Sequence, residues 1–325
     1  MHPRFRLLRL LADGRFHSGE ALGAALGSSR AGVWKLAQSL PDLGVEVFAV
    51  PGKGYRLASP FEPLEPARID GALEPEARPL LAGVEVLPSV DSTNRLLHER
   101  AAEGLPSGSA CLAEHQSGGR GRRGRPWVSP FGANLYASVL WRFNLAPAAL
   151  GPLSVAVGVV VAEALAACGA DGLGLKWPND VLWQGRKLAG VLTEVMGEAT
   201  GPARVVVGIG VNVNMPEAAA AAIDQPWVDL KTIIGGPVDR NPVAARLLSG
   251  LARGLDQFAR EGFEPMRPAW DRLDLARGQP VVVTTGEGAV AGDCRGLDDS
   301  GALLVAVGGL TRRYLSGEVS LRLPG

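Results

Sequence analysis

The sequence has little cysteine and no net charge. Its three cysteines, Cys111, Cys168 and Cys294, lie far apart, with no CxxC pair and no clustered histidines. This spacing excludes a disulfide framework and a structural zinc site, and it predicts a reducing compartment. The 33 basic residues equal the 33 acidic ones, so no overall basic field indicates nucleic-acid binding.

No segment predicts secretion or a membrane span. The N-terminal MHPRFRLLRLLADGRF carries charges inside its apolar stretch and lacks a small-residue cleavage site, so it is not a signal peptide. The longest apolar run, LSVAVGVVVAEALAA, is too short to cross a bilayer, runs into Glu163 and predicts a buried helix. We expect a cytoplasmic protein with no membrane partner.

The first 60 residues form a locally basic module. Residues 1–60 carry eight Lys or Arg and four Asp or Glu. Their pattern predicts three short helices, of which the second and third are capped by serines, and then a hairpin whose tip is Pro51–Gly54. This arrangement is typical of a winged helix-turn-helix that binds DNA. The candidate DNA contacts are Ser29, Arg30, Lys35 and Lys53. A small three-helix protein-interaction module is the alternative.

The rest of the chain divides into three further stretches. Their helices and strands, together with the first module, predict the fold class α+β. Residues 61–83 are rich in Pro and Glu and read as a linker with a short helix. Residues 84–273 mix strands and helices and form the largest domain. Residues 274–325 contain only short alternating runs, which predict a small β-barrel-like domain.

The stretch SGGRGRRGRPW, residues 117–127, holds four arginines and four glycines. Glycines allow backbone amides to point at a ligand, and guanidinium groups match phosphate oxygens. The sequence contains no G-x-x-x-x-G-K-[ST] phosphate loop, and GIGVN lacks the third glycine of a dinucleotide fingerprint. The loop therefore predicts an anion-binding active site. A nucleic-acid-binding loop and a merely solvated loop remain the alternatives on composition alone.

Three neighbouring motifs favour the active-site interpretation. KWPND (176–180) places a cation, an amide and a carboxylate at a probable strand end. GRKLAG (185–190) places Lys187 on the following hairpin. DSTN (91–94) puts small polar groups at a helix N-terminus, where free amides favour polar or anionic ligands.

Taken in order, DSTN, GRGRRGRPW, SPFGANLY, KWPNDV, RKLAG and GIGVNVN resemble the motifs of biotin–protein ligases. The N-terminal FHSGEALGAALGSSRAGVWK resembles the DNA-binding domain of the bifunctional members, which also repress biotin-synthesis genes. The resemblance implies a winged helix-turn-helix, a central mixed α/β biotin/lipoate-ligase-like catalytic domain and a C-terminal SH3-like β-barrel.

The resemblance also implies an activity. Biotin and ATP would give biotinyl-5′-AMP and pyrophosphate with the help of Mg²⁺, and a lysine of a biotin carboxyl carrier protein would then take the biotin. Operator DNA and a ligand-linked homodimer are the other expected partners. The recognition-helix residue Trp34 makes repression less secure than ligation, because a bulky side chain stands where a small polar one would read a base.

Site residues follow from the same resemblance. The catalytic set is Arg122, Lys187 and Asp180. Biotin would be bound by Ser92, Thr93, Asn94, Gln116, Gly119, Arg120, Gly121, Arg122 and Lys187. ATP and the adenylate would be bound by Arg120, Arg122, Arg123, Arg125, Asn179 and Trp227. No side-chain cluster predicts a metal site, and Mg²⁺ is expected near Asn179.

Several alternatives stay open. The alternative interpretations are a solvated hairpin lysine for Lys187, a turn-capping carboxylate for Asp180 and surface packing for Trp227. His115 is expected to be a packed or solvated imidazole, since no serine or carboxylate partner is evident. For the whole chain, the rivals are a non-catalytic biotin-sensing transcription factor and a lipoate or octanoate ligase.

Overall fold

The computed structural model describes residues 2–286, 288–315 and 320–322, and within them the α+β class expected from the sequence is confirmed. The described strands form three sheets of two, seven and five strands. Each sheet belongs to one of the three predicted domains, in chain order.

The first domain is a winged helix-turn-helix. Its elements are α1 (Pro3–Leu11), α2 (Gly19–Leu26), α3 (Arg30–Gln38), β1 (Val47–Val50) and β2 (Gly54–Leu57). Ser18 and Ser29 cap α2 and α3 by accepting hydrogen bonds from Ala21 N at 3.0 Å and Gly32 N at 3.1 Å. Gly27 ends α2 in the left-handed conformation, with φ 65°, and this permits the tight turn between the two helices. β1 and β2 pair antiparallel and form the wing.

Phe131, from the catalytic domain that is expected over residues 84–273, completes the core of this first domain. Its ring is 6% exposed and belongs to the same buried cluster as the leucines of the three helices. It stacks on Phe5 with ring centroids 5.8 Å apart and meets Phe61 edge-on at 5.6 Å. Its backbone N–H also donates to Leu43 O at 2.9 Å. The two domains therefore share packed side chains.

The stretch 61–83, which composition predicts to be a linker, packs against the catalytic domain. It contains α4 (Pro66–Gly71) and a short 3₁₀ turn, Arg78–Leu80. Ile69 is fully buried in the main core. Glu65 N and Glu74 N donate to side chains of the long helix described next, Asn241 at 2.8 Å and Ser249 at 3.0 Å. The apolar residues between the prolines give this stretch a surface that packs, which the Pro and Glu content conceals.

The catalytic domain is built on the seven-stranded sheet. Its strands are β3 (Gly83–Leu87), β4 (Ser109–Ala113), β5 (Leu135–Phe143), β6 (Leu173–Lys176), β7 (Asp180–Trp183), β8 (Arg186–Met196) and β9 (Ala203–Val211). They lie in the order β3-β4-β5-β9-β8-β7-β6, and only β3 and β4 run parallel. Its helices are α5 (Thr93–Ala102), α6 (Leu153–Ala166), α7 (Glu217–Ala220), α8 (Leu230–Ile234), α9 (Arg240–Glu261) and α10 (Arg267–Leu273).

Strand β9 shows how the sheet divides its two faces. Val205, Val207 and Ile209 belong to the large core that also contains α6 and α9. The alternate residues point to the opposite face. There Val206 packs beneath α5, and Gly208 and Gly210 leave space on the rest of that face. This face of β9 therefore forms a floor on which Gly208 and Gly210 leave space, and the candidate site lies on this floor.

The apolar helix α6 is a core element. Together with the preceding turn, Pro147–Ala166 is 20 residues long with a mean hydropathy of 1.9, which is long and apolar enough to cross a membrane by length and composition. The apolar run predicted to be too short for a membrane span therefore lies in a segment that is long enough. However, 67% of this window is buried inside the protein, as a core helix would be.

The C-terminal domain is a five-stranded antiparallel sheet. Its strands are β10 (Pro280–Thr285), β11 (Gly288–Leu297), β12 (Leu303–Val307), β13 (Leu310–Tyr314) and β14 (Ser320–Arg322), in the order β13-β12-β11-β10-β14. The turn between β11 and β12 docks on the catalytic domain. Trp177 Nε1 donates to Gly301 O in that turn at 3.1 Å, and Leu321 of β14 reaches the candidate site.

Candidate active site

A cavity of about 250 Å³ lies on the glycine floor of the central sheet, under the arginine loop. The following predicted residues line it: Ser92, Thr93, Asn94, Gln116, Arg120, Gly121, Arg122, Arg123, Arg125, Asn179, Asp180 and Lys187. Gly119 and Trp227 do not line it. Residues separated by almost one hundred positions in the sequence thus surround one space.

The N-terminus of α5 forms the uncharged end of the cavity. Ser92 caps the helix by accepting from Arg95 N at 3.5 Å. Thr93 donates twice to Gln116 Oε1, from its backbone N at 2.9 Å and from its hydroxyl at 3.2 Å. Gln116 Nε2 donates to Ser129 Oγ at 3.4 Å. These bonds orient the polar groups before any ligand arrives.

Ser138, on β5, supports this end and is absent from the sequence-predicted set. It is fully buried, and its Oγ lies 2.7 Å from Thr93 Oγ1 and 2.6 Å from Asn94 Oδ1. A buried hydroxyl must be hydrogen-bonded to avoid a desolvation penalty. The available signal was a serine inside the largely apolar strand ANLYASVLW, on the face opposite to the large core.

The arginine loop is a hairpin that lies over the cavity. Gly121 N donates to Arg125 O, and Trp127 N donates to Gly119 O, both at 2.8 Å. Arg123 and Gly124 make the tip with φ values of 57° and 68°. Position 119 has no room for a side chain, because a Cβ there would lie 2.7 Å from Ser129 Oγ. Gly119 therefore takes part in the hairpin through its backbone.

Arg122 is the loop arginine closest to the interior. Its side chain reaches Asn179, with Nη1 3.5 Å from Oδ1. Burial lowers the pKa of the Arg122 guanidinium, and the neighbouring Arg123 lowers it further. An anion bound here would relieve both effects, since it would compensate a partly desolvated positive charge.

Lys187 and Asp180 form the charged end of the cavity. Lys187 Nζ lies 2.7 Å from Asp180 Oδ1, and the two side chains are only 16% and 17% exposed. The hairpin of β7 and β8 brings them together, with a register shift between Val181 and Leu182. Lys187 Nζ also lies 5.3 Å from the centroid of the Trp127 ring.

Trp127 was not predicted from the sequence as a site residue. Its side chain packs on the floor of the cavity, over Gly190 and Gly210. A Cβ added to Gly210 would lie 2.4 Å from its ring, and one added to Gly190 would lie 3.2 Å away. Trp127 Nε1 is buried and, among the described residues, has no hydrogen-bond partner. Gly210 of GIGVN and Gly190 of RKLAG therefore have a steric role, which is to accommodate this indole.

Trp227 lies directly behind Lys187. The two residues form an isolated parallel bridge, flanked by bonds from Lys187 N to Pro226 O at 2.9 Å and from Val228 N to Lys187 O at 3.0 Å. Its side chain is half-buried and lies next to the cavity without lining it. Its expected stacking on adenine therefore stays a prediction.

His115 corrects one expectation. Its Nδ1 lies 2.9 Å from the hydroxyl of Ser89, so a serine partner exists although none was evident in the sequence. Burial, with Arg4 nearby, lowers the pKa of this imidazole. The ring is outside the residues that line the cavity.

The described residues contain no group of three or more His, Cys, Asp or Glu side chains that could hold a metal ion. All three cysteines are free thiols, and Cys111 and Cys294 are buried. Burial raises the pKa of Cys111 to about 12 and that of Cys294 to about 11. These thiols are therefore unreactive core residues.

The DNA-binding candidates lie on one module. Ser29, Arg30 and Lys35 are exposed at the start and in the last turn of α3, and Lys53 is exposed at the wing tip. Ser29 caps α3. Arg56 was not predicted from the sequence. Its guanidinium lies 5.1 Å from the ring centroids of both Phe16 and Phe48, which holds a cation on the wing.

Comparison with known proteins agrees with this architecture. The biotin/lipoate A/B protein ligase family matches residues 86–212, the biotin protein ligase C-terminal domain matches 277–322, and a helix-turn-helix domain matches 4–56. The chain is 45% identical over 317 residues to the bifunctional ligase/repressor BirA of Escherichia coli, covering 98% of this chain and 96% of that protein.

Two further relatives lack part of this length. The biotin–[acetyl-CoA-carboxylase] ligase of Paracoccus denitrificans is 38% identical over 68% of this chain and 92% of its own. The Aquifex aeolicus biotin protein ligase, solved with biotin and ATP, is 33% identical, with a TM-score of 0.64 over 75% of this chain and 100% of its own. The chain belongs to the biotin–protein ligase family, in the bifunctional form that carries an N-terminal helix-turn-helix.

Proposed function

We propose that this protein activates biotin with ATP as biotinyl-5′-AMP and transfers the biotin to a lysine of a biotin carboxyl carrier protein. One observation carries the proposal. A single cavity joins an uncharged hydrogen-bonding end, formed by Thr93, Asn94 and Gln116, to a cationic end, formed by Arg122 and Lys187. A ureido ring attached to a carboxylate matches these two ends.

The cationic end suits the first chemical step. Biotin's carboxylate oxygen attacks the α-phosphorus of ATP, a phosphoanhydride bond breaks, and pyrophosphate leaves. The two reactants repel each other, so cations must hold them in contact. Lys187 and Arg122 would stabilise the charge that develops on the phosphate. Arg120, Arg123 and Arg125 would hold the remaining phosphate oxygens from the loop.

The second step transfers the acyl group. The carrier lysine's amine attacks the acyl carbon of the mixed anhydride, and AMP leaves. Asp180 would orient this amine or accept its proton. The arginine loop would cover the adenylate meanwhile, because water hydrolyses it readily.

Mg²⁺ fits as part of the substrate MgATP. Asn179 Nδ2 donates to Val191 O at 2.7 Å, and its Oδ1, which also accepts from Arg122, has a second lone pair for a metal ion. The nearby carboxylate of Asp180 is already paired with Lys187. Because Mg²⁺ usually takes one or two protein oxygens and several phosphate oxygens, Asn179 would supply one contact and the triphosphate the others.

The N-terminal domain would make the protein a biotin-responsive repressor. Arg30, Lys35 and Lys53 would contact one operator half-site. One module with a local excess of four positive charges binds DNA weakly, so a homodimer that forms with the adenylate would supply the second half-site. The outer strands of the central sheet are β3 and β6, and the dimer would join through a sheet edge. The free thiols support a cytoplasmic location.

Intact-mass measurement tests the ligase. The purified protein is incubated with biotin, MgATP and a carrier domain, and the carrier mass should rise by one biotinyl group at a single lysine. An unchanged carrier mass would contradict the proposal. Competition by lipoate and octanoate tests the substrate, and neither acid should suppress labelling at concentrations equal to biotin.

A gel shift tests the repressor separately. DNA from upstream of biotin-synthesis genes should be retarded at lower protein concentration when biotin and MgATP are present. Equal retardation with and without them would overturn the ligand-linked dimer. Pyrophosphate release in the absence of DNA excludes the alternative of a non-catalytic sensor.

A further inference from the structure

Glu194, on β8, connects the uncharged end of the cavity to the arginine loop through its two carboxylate oxygens. Oε2 accepts from Asn94 Nδ2 at 2.8 Å, and Oε1 accepts from Arg120 Nη2 at 2.9 Å. We propose that Glu194 is a positioning residue that fixes the Asn94 amide and latches the arginine loop over the biotin end of the cavity. The proposal rests on the proposed function for the identity of the ligand.

The first contact decides which atom of Asn94 faces the ligand. A carboxylate only accepts hydrogen bonds, so Glu194 requires the Nδ2 group on its side. The second N–H of Asn94 donates to Leu192 O at 3.2 Å. Oδ1 is left over Gly208, where an added Cβ would lie 2.0 Å from it, and Gly208 lines the cavity.

Asn94 therefore presents an acceptor to the cavity. Its Oδ1 already lies 2.6 Å from Ser138 Oγ and has a second lone pair. That acceptor suits a ligand N–H, such as those of a ureido ring, and it discriminates against a ring that has none. Without Glu194, Asn94 Nδ2 keeps only its longer bond to Leu192 O, so the amide turns more easily and can present a donor instead.

The second contact anchors the loop. Trp127, at the C-terminal end of the loop, packs on Gly190 and Gly210, and Arg120, at the other end, pairs with Glu194. Gly190 and Glu194 are four residues apart on the same strand face, which is about 13 Å. The two anchors therefore lie on either side of the pocket floor, and the hairpin bridges them.

The strength of this latch matches a cover that must open. The side chains of Arg120 and Glu194 are 46% and 28% exposed, and ion pairs at such exposure are weak. The pair thus favours the closed loop without locking it, and Arg120 is free to exchange Glu194 for a ligand anion.

The test compares Glu194→Gln with the matched control Glu198→Gln. Glu198 is exposed just beyond the end of β8. Trypsin cleavage after Arg122 and Arg123 is measured on the unliganded full-length protein, since Arg125 precedes Pro126 and is not cleaved there. Glutamine keeps the shape of the side chain but removes its charge and turns one acceptor into a donor, so E194Q should weaken both the Arg120 and the Asn94 contacts. E194Q should be cleaved several-fold faster than E198Q, as expected when a local opening becomes easier.

Two further measurements separate positioning from general loss of structure. The biotin dissociation constant should rise about tenfold in E194Q, as expected for one lost hydrogen bond to a charged group. KM for ATP should stay within about twofold of the wild type, since E194Q leaves Arg120 in place and the other loop arginines and Asn179 do not contact Glu194. In an Arg120→Gln background, E194Q should no longer accelerate cleavage.

Two outcomes would overturn the proposal. One is cleavage and biotin affinity in E194Q equal to those of E198Q. The other is an acceleration of cleavage that is the same with and without Arg120. The cleavage measurement needs no ligase activity. If the wild type fails to make biotinyl-5′-AMP, the proposed function fails, whereas an active wild type with a normal E194Q overturns only the role of Glu194.

Discussion

At the scale of single residues, the Lys187 ammonium has two neighbours that define its surroundings. It lies 2.7 Å from the Asp180 carboxylate and 5.3 Å from the Trp127 ring centroid. Both neighbours come from other segments, and both hold the cation at the mouth of the charged end. A lysine with a solvated head group would show neither contact.

Replacing Lys187 by alanine should slow the first step sharply. The variant loses a donor aimed at the reacting phosphate and leaves Asp180 without its partner. We expect biotin-dependent pyrophosphate release to fall by about 10²–10³-fold. Lys231→Ala, which removes an exposed lysine of α8, is the control and should release pyrophosphate at the normal rate. Normal release by K187A would exclude the assigned role.

Replacing Arg122 by glycine should separate activation from retention of the intermediate. Adenylate would still form, because Lys187 and the other arginines remain, but the loop would lose its most interior contact. We expect biotin to appear on arbitrary surface lysines of an added protein such as albumin, as detected by streptavidin blot. Arg122→Lys keeps the charge and should label less. Labelling restricted to the carrier would contradict this gating role.

The sequence motifs identified most of the residues around the cavity, but not those that support them. Thr93, Asn94 and Gln116 stand in recognisable motifs. Ser138 and Glu194 stand in strands, where alternation indicates only which face a side chain takes and not which loop or helix covers it. Both bond to Asn94, which lies 44 residues from Ser138 and 100 residues from Glu194 in the sequence. Only the folded chain reveals such contacts.

At the scale of elements, the turn between β11 and β12 holds the C-terminal sheet on the catalytic domain. Asp298 accepts from Ser300 N at 2.9 Å and from Ala302 N at 3.0 Å, and Arg313 also pairs with it. Partial burial opposes its ionisation, but the bonds from Ser300 and Arg313 prevail and lower the pKa of Asp298 to about 2. The Trp177 indole donates a hydrogen bond to Gly301 O in the same turn.

Asp298→Asn should therefore destabilise the fold in a pH-dependent way. A carboxyl whose pKa is lower in the folded state stabilises the protein above its unfolded pKa of about 4, and the effect disappears as pH falls towards 2. We expect a loss of about 1–2 kcal/mol at pH 7 by urea denaturation. The difference from the wild type should shrink below pH 4.

Asp299 offers a matched control for this turn. Its side chain is fully exposed and pairs with Arg267 at 2.9 Å. Asp299→Asn should leave the urea midpoint nearly unchanged at every pH. A D298N variant that is as stable as D299N at pH 7 would show that the turn does not depend on the ionised carboxylate.

The docking of the winged helix on the catalytic domain depends on Phe131. Phe131→Ala removes the ring that packs between Phe5 and Phe61, and such truncations in a core cost about 3–5 kcal/mol. We expect amide hydrogen exchange in α1 to accelerate well beyond that in α9. Leu310→Ala, at a side chain that is 71% exposed, should change neither helix. Equal exchange of α1 in F131A and L310A would contradict the docking role.

Elements were predicted well where their signals are local. The caps, the glycine stop after α2 and the alternating C-terminal strands are visible in the sequence and are found in the structure. The packing of residues 61–83 was not predicted. Prolines and glutamates suggest an extended linker, whereas Leu64, Ile69 and Leu73 are buried against α9 and the sheet. Such tertiary contacts have no local signature.

At the scale of the whole molecule, the three domains meet around the site. Phe131 follows the arginine loop by four residues and enters the first domain's core. Trp177 precedes Asn179 and Asp180 by two and three residues and is fixed by the C-terminal domain. The segments that would touch biotin and ATP are thus continuous with both interdomain contacts, and this suits a protein whose ligand would control its binding to DNA.

The central claim is that the arginine loop and Lys187 bring biotin's carboxylate and the α-phosphate of ATP together. Isotope exchange between pyrophosphate and ATP tests it most directly, because exchange requires reversible formation of the adenylate and needs no carrier protein. With biotin and Mg²⁺ present, the wild type should exchange label rapidly and K187A about 10²–10³-fold more slowly. No biotin-dependent exchange by the wild type, at any concentration of biotin and ATP, would contradict the account.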